Sequence, residues 1–224
     1  MALCDGDDYF CDPNKLRKQI ALLDAYPDLA LAFCLTEVFF EDGSPSYIYS
    51  PRRITGKEKP VYTLDDLLQG NLMQTSSVMY RWRFREGLPR WFRPTLVPGD
   101  WYWHLLHAEL GQIGFIPQVM ARYRRHAGSV YESADKKDTV GHRLQHGLKE
   151  LEAYQHWDEH FHFKYHASLS QLAAGVFANF AQSFSNDGSS ELLDRASVLF
   201  PDFARDFFAG LSNLPPAGAA PAGS

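Results

Sequence analysis

The sequence predicts an α/β protein: a mixed sheet with flanking helices over residues 1–132, a helical C-terminal region over 133–211 and a disordered tail over 212–224. Three observations lead there. Up to the Arg124-Arg125-His126 segment, apolar runs bounded by turn formers alternate with capped helical patterns. From Lys137 to Gly210 the apolar spacing is helical, with breaks near His166, Asp187-Gly188 and Pro201 that suggest three or four packed helices. The stretch from Ser212 to Ser224 is so rich in Pro, Ala and Gly that it cannot bury enough apolar surface to order itself.

The elements follow in order. Met1 to Cys4 reads as a short apolar strand running into the acidic cluster Asp5-Gly6-Asp7-Asp8. Asp12 as cap and Pro13 at the first helical position open a helix that carries Leu16, Ile20, Leu22 and Leu23 and ends near Tyr26-Pro27. Leu29 to Phe40, bounded by Glu41-Asp42-Gly43-Ser44-Pro45, reads as a largely buried strand. Tyr47 to Pro60 lacks periodicity and reads as an exposed excursion. Thr63 caps a short helix that stops at Gly70, and Ser76 to Arg81 reads as a strand. Asp100 stands at the entrance of a helix with Trp101, Trp103, Leu105, Leu106 and Leu110, closed by Gly111. Ile113 to Ile116 and Val119 to Tyr123 read as two strands separated by Pro117.

Composition excludes several function classes. At 224 residues, with 45% hydrophobic and 14% aromatic residues, the chain can bury a substantial core. A formal net charge of -5 exerts no overall pull on nucleic acid, so no nucleic-acid partner is expected. No run approaches ~18 consecutive apolar residues and no basic-then-apolar leader opens the chain, which sets the expectation of a cytoplasmic protein. Cys4, Cys11 and Cys34 have no CxxC spacing and favour neither a disulfide framework nor a cysteine zinc site.

Asp5, Asp7 and Asp8 repel one another unless a cation or hydrogen-bond donors neutralise them. Oxygen ligands suit a hard ion, Mn²⁺ or Mg²⁺, that keeps positions open for phosphate oxygens. The competing reading is a solvated acidic turn. Asp100 reads either as a general base at a helix entrance or as a plain cap, and Arg124 and Arg125 as phosphate partners or solvated strand-end charges. The interleaved stretch from Arg81-Trp82-Arg83-Phe84-Arg85 to Arg90-Trp91-Phe92-Arg93 suits an anionic lipid surface or sugar stacking, against a loop pinned to the core by its aromatics. His162 and His166 have metal-pair spacing on an expected helix, but no carboxylate motif completes it; with His142, His146, His156 and His160 they read as ordinary polar-face residues.

In context these residues form four ordered blocks. Leu3-Cys4-Asp5-Gly6-Asp7-Asp8-Tyr9-Phe10, with Asp12-Pro13, Lys15-Leu16 and Gln19 behind it, resembles the DxD region of family-2 glycosyltransferases. Thr75-Ser76-Ser77-Val78-Met79-Tyr80-Arg81, then Gly99-Asp100-Trp101, then Tyr123-Arg124-Arg125-His126 with Gly128-Ser129 resemble later blocks of that family in the same order. The resemblance implies a GT-A-like sheet and metal-assisted, inverting transfer from a nucleotide-diphosphate sugar to the hydroxyl of a glycan or lipid-linked sugar, in surface polysaccharide or glycan biosynthesis. It implies Asp7, Asp5 and His126 as metal residues, and Asp5, Asp8 and Arg124 on the donor or diphosphate side. Asp100 would be the base, and Trp101, Thr75 and Ser76 the acceptor side. A complete domain of that family has nucleotide-binding strands and helices before the motif, which here begins at residue 5, so an incomplete GT-A-like sheet is expected. An open sheet edge, a homo-oligomer or partner chain, and peripheral contact at the inner face of the membrane are further expectations. The alternative is a truncated, non-catalytic module that binds a glycan or a protein; a metal-dependent phosphohydrolase accounts for the acidic cluster alone.

Overall fold

The computed structural model describes residues 1–90, 92, 99–128, 140–187 and 190–212. The chain divides into two units, Met1–Asp138 and Thr139–Ser224. The first is mixed α/β and the second is helical.

In the first unit the elements run β1 (Tyr9–Phe10), α1 (Lys15–Ala25), β2 (Leu29–Phe40), β3 (Tyr47–Tyr49), α2 (Arg52–Thr55), β4 (Val61–Tyr62) and α3 (Leu64–Leu67). A 3-10 turn (Thr75–Ser77), β5 (Met79–Tyr80), α4 (Gly99–Ala108) and β6 (Gln112–Arg125) complete it. The long strands β2 and β6 pair in parallel at the centre of the sheet. Four short antiparallel strands flank them: β1 and β4 beside β6, β3 and β5 beside β2. β2 is buried over its first half, and Phe33 packs on Phe115 at 4.8 Å and on Tyr62 at 5.7 Å. Ring pairs at these spacings supply both area and preferred geometry to the core.

Several local expectations are corrected. Met1 to Cys4 forms only an isolated bridge, Ala2 to Met79, and the strand lies after the acidic cluster at Tyr9–Phe10. The first helix starts at Lys15, because the Asp12 Oδ1 accepts the Asn14 N–H at 2.7 Å and makes a turn where a cap was expected. The 47–60 excursion is mostly exposed but contains β3, hydrogen-bonded to β2 through Thr36, Glu37 and Val38. Ser76 and Ser77 belong to the 3-10 turn, which shortens the expected strand to Met79–Tyr80. Pro117 does not break β6: the strand passes through an irregular bulge there, where no ladder N–H is required of it.

In the second unit α5 (Val140–His160), α6 (His166–Asp187), α7 (Glu191–Leu199) and α8 (Pro201–Ser212) fall at the expected breaks. Trp157, Leu169 and Phe177 are fully buried, and Phe177 stacks on Phe207 at 5.5 Å. Gly147 lets α6 approach α5, since a Cβ there would lie 2.8 Å from Phe180 Cζ. The expected tail falls, beyond Ser212, outside the described residues.

Candidate functional site

The acidic loop is held between two strand ends. Immediately after it, Tyr9 and Phe10 pair with Arg122 and Ala121 of β6, so residues 5–8 lie beside the last residues of that strand. The Asp8 N–H donates to the Asp5 carbonyl at 3.1 Å and closes the turn. Arg124 then grips it twice: its N–H donates to Asp8 Oδ1 at 3.1 Å and its Nε to the Asp7 carbonyl at 3.0 Å. The same guanidinium reaches Glu41 Oε1 through Nη1 at 3.0 Å. His126 Nε2 lies 3.1 Å from Asp7 Oδ2.

Burial pushes the Asp5 carboxyl up, and the charges of Asp7 and Asp100 push it further. Asp100, 95 residues along the chain (100 minus 5), is therefore brought into the electrostatic reach of the acidic loop. Asp8 is also raised by burial, against the pull of the Arg124 amide and the nearby Ser76 hydroxyl. The Ser76 contact falls short of hydrogen-bond geometry: Ser76 is fully buried and its Oγ has no partner among the described residues. A fully buried tyrosine, Tyr80, lies within the fields of both Asp100 and Asp5, and burial holds its hydroxyl neutral. That hydroxyl and His104 Nδ1 are 2.8 Å apart, and burial lowers the His104 imidazole to about 4.

Asp100 occupies the first turn of α4. Its Oδ1 accepts the Trp101 N–H at 2.8 Å, and its Oδ2 accepts the Asn71 side-chain amide at 3.2 Å. Asn71 is fixed in turn, with Oδ1 accepting the Met73 N–H at 3.3 Å and its carbonyl accepting the Tyr49 hydroxyl at 2.6 Å. Trp101 is only 4% exposed and donates Nε1 to the Leu67 carbonyl at 3.0 Å, so it fastens α4 to α3 and presents no open ring face to an acceptor. Thr75 is half-buried at the start of the 3-10 turn.

The structure thus gathers Asp5, Asp7, Asp8, Ser76, Arg124 and His126, with Asp100 nearby, and leaves Trp101 in the core. Sequence reasoning missed Glu41 and Asn71, which carry no motif of their own. Among the described residues no group of three or more His, Cys, Asp or Glu side chains is placed to hold a metal ion; the loop offers the pair Asp7 and His126.

In the described part of the basic-aromatic stretch the rings of Trp82 and Phe84 meet Trp103 and His107, but two of the arginines expected to stay solvated are bonded to backbone. Arg81 donates to the Leu29 and Leu23 carbonyls, and Arg83 to those of Leu110 and Pro27, both at 2.6 Å. Trp91 and Arg93 lie outside the described residues, as do Ser129 and Val130. His162 sits in the turn between α5 and α6 with φ 51°, so it forms no helical pair with His166.

No family model matches the chain. The chain is similar to uncharacterized protein Rv1520 of Mycobacterium tuberculosis and uncharacterized protein Mb1547 of Mycobacterium bovis, each 33% identical over 198 residues. These alignments cover 86% of this chain and 54% of each relative, so the chain spans about half the length of the curated relatives it matches. Among the described residues no helix is long and apolar enough to cross a membrane.

Proposed function

We propose that the acidic loop and Asp100 are the two sides of one inverting glycosyl-transfer site, carried on a GT-A-like sheet. What supports this is that Asp100, held by Asn71 at the entrance of α4, lies within electrostatic reach of the acidic loop, its charge adding to the effects of burial and Asp7 on the Asp5 carboxyl. Inverting transfer needs a base on one side of the sugar carbon and neutralised negative charge on the other. Asp100, half-exposed and steered by Asn71, would take the proton of the attacking acceptor hydroxyl.

Asp7 and His126 would hold the divalent ion, Mn²⁺ or Mg²⁺. Their donor atoms are 3.1 Å apart, and adjacent ligands of an octahedral ion with bonds of ~2.1 Å lie about 3 Å apart. When bound, such an ion supplies positive charge to a departing diphosphate. Arg124 braces the loop through Asp7 and Asp8, and the buried Ser76 hydroxyl lies near Asp8. Thr75 is the acceptor-side residue that keeps open surface. The donor would be a nucleotide-diphosphate sugar and the acceptor a glycan or lipid-linked sugar, which implies work in the cytoplasm, at the inner membrane face for a lipid-linked acceptor.

A second reading, a non-catalytic module that binds a glycan or a protein, draws on the self-contained contacts of the loop: Asp7 meets His126, and Arg124 meets Glu41. Calorimetric titration of the chain with UDP, GDP, CDP and dTDP, with and without Mn²⁺, separates the two. The transferase reading expects binding of one nucleotide that requires Mn²⁺, is lost in Asp7→Asn and is retained in Asp100→Asn. No binding of any of the four with Mn²⁺ present leaves the module reading standing.

A further inference from the structure

In the helical unit, one imidazole joins three helices. His166, at the start of α6, uses Nδ1 to bond Asp158 Oδ2 of α5, and its Nε2 lies 3.0 Å from Asp206 Oδ2 of α8. Ser170, one turn along α6, donates to the same Asp206 oxygen at 2.7 Å and is 3.3 Å from His166 Nε2. The ring stacks on Phe203 of α8, centroids 5.8 Å apart and planes 10° from parallel. Arg205 stands behind Asp206, Nε 3.8 Å from Oδ1, and the neighbour from the intervening turn is the Phe163 ring. Among the described residues α7 adds no titratable group to this cluster.

Both ring nitrogens face carboxylate oxygens, and only an imidazolium has an N–H for each. A neutral ring turns one lone pair against a carboxylate. The two carboxylates do not share that burden equally. The Asp158 side chain is 4% exposed and its Oδ1 already lacks a partner among the described residues, so it has no route to water. Asp206 is 34% exposed and can swing to solvent. Loss of the proton therefore breaks the bond on the α8 side.

We propose that His166 is a proton-operated clasp that fastens α8 to α5 and α6, closed while the imidazole holds both protons and released from Asp206 when one leaves. The shifts run the same way: the Asp158 bond raises His166 above its ordinary range, and the Ser170 and His166 bonds hold Asp206 below its own. A raised histidine contributes its full stabilisation below the unfolded value of ~6.5 and loses it as pH rises through the folded value. A depressed aspartate loses its contribution only as pH falls through its folded value. Glu150 of α5, raised to about 7 by burial, also weakens the unit as pH rises, so it must be separated from the clasp.

Hydrogen exchange of the full chain between pH 6 and pH 9, normalised for intrinsic exchange rate, tests the clasp. In the wild type, protection of residues 201–212 should fall about tenfold more than that of the α6 core around Phe177. Glu150→Gln should keep that fall. In His166→Gln and in Asp206→Asn, protection of α8 should be low at pH 6 and nearly flat with pH. Equal protection of α8 at pH 6 and 9 in the wild type, or an undiminished fall in both variants, overturns the proposal. Should His166→Gln fail to fold, the ¹⁵N shifts of the wild-type ring decide: both nitrogens protonated at pH 7 supports the clasp, and a neutral ring at pH 6 overturns it.

Discussion

Lys15 carries a charge into the interior, where among the described residues no carboxylate meets it. It is 1% exposed, its Nζ donates to Gln19 Oε1 at 2.9 Å and lies 4.1 Å from the centre of the Phe10 ring. Gln19 passes the connection on, donating Nε2 to the Ala32 and Ser77 carbonyls at 3.0 and 2.8 Å. Gln19→Leu strands the Lys15 ammonium and takes a donor from two buried carbonyls, and it should cost about 2–4 kcal/mol by urea denaturation. Lys15→Met keeps the volume and removes the charge but leaves Gln19 Oε1 without its donor, so it should cost less, about 1–2 kcal/mol. Burial lowers the Lys15 amine, so the unfolded chain binds its proton more tightly and wild-type stability should rise as pH climbs through the lowered value; Lys15→Met should lose that rise. The sequence placed both residues on the first helix but showed nothing of their burial, because that depends on the carbonyls of β2 and the 3-10 turn. Likewise the carboxylates of the site were legible in the acidic cluster and at a helix entrance, whereas Asn71 and Glu41 matter only through distant partners.

At the scale of elements, signals contained in a few consecutive residues read unevenly: Asp12-Pro13 made a turn where a cap was expected, and Thr63 with Asp66 made the cap it promised. In that box at α3, Asp66 Oδ2 accepts the Thr63 N–H at 2.8 Å and also meets Lys59 Nζ at 2.7 Å. Asp66→Ala should cost about 1 kcal/mol, measured by chemical denaturation at pH 7. Asp66 is held below its usual range by Lys59 and Thr63 against the opposing effect of burial, so the penalty should shrink as pH falls through that depressed value. Signals that depend on a pairing partner were misread. Pro117 looked like a strand break because the bulge that accommodates it exists only relative to β2. β3 was hidden in an aperiodic, exposed stretch because its hydrogen bonds to β2, and no buried face, make it a strand.

For the molecule as a whole, each unit has a close glycine contact of its own. A Cβ on Gly111 would lie 2.4 Å from the Asp28 carbonyl oxygen, and one on Gly147 would lie 2.8 Å from Phe180 Cζ. Calorimetry should therefore resolve two transitions, with Gly111→Ala lowering one and Gly147→Ala the other, each by about 1–3 kcal/mol. A single transition lowered by both would show the units to be one cooperative body. The bulge in β6 has a reach beyond its own position. From Cys34 to Thr36 the β2 strand advances two residues, while its partners on β6 run from Ile116 to Ala121, an advance of five. The surplus is three, an odd number, so side chains beyond the bulge alternate in opposite phase to those before it. A deletion of Gln118 that kept the bulge and slipped the strand beyond it by one residue against β2 would thus be felt far from the lesion, exchanging the faces of Arg124 and Arg125 and turning His126 away from Asp7. Substitutions should accumulate freely at positions 117 and 118 in descendants of this chain, and changes of length should not.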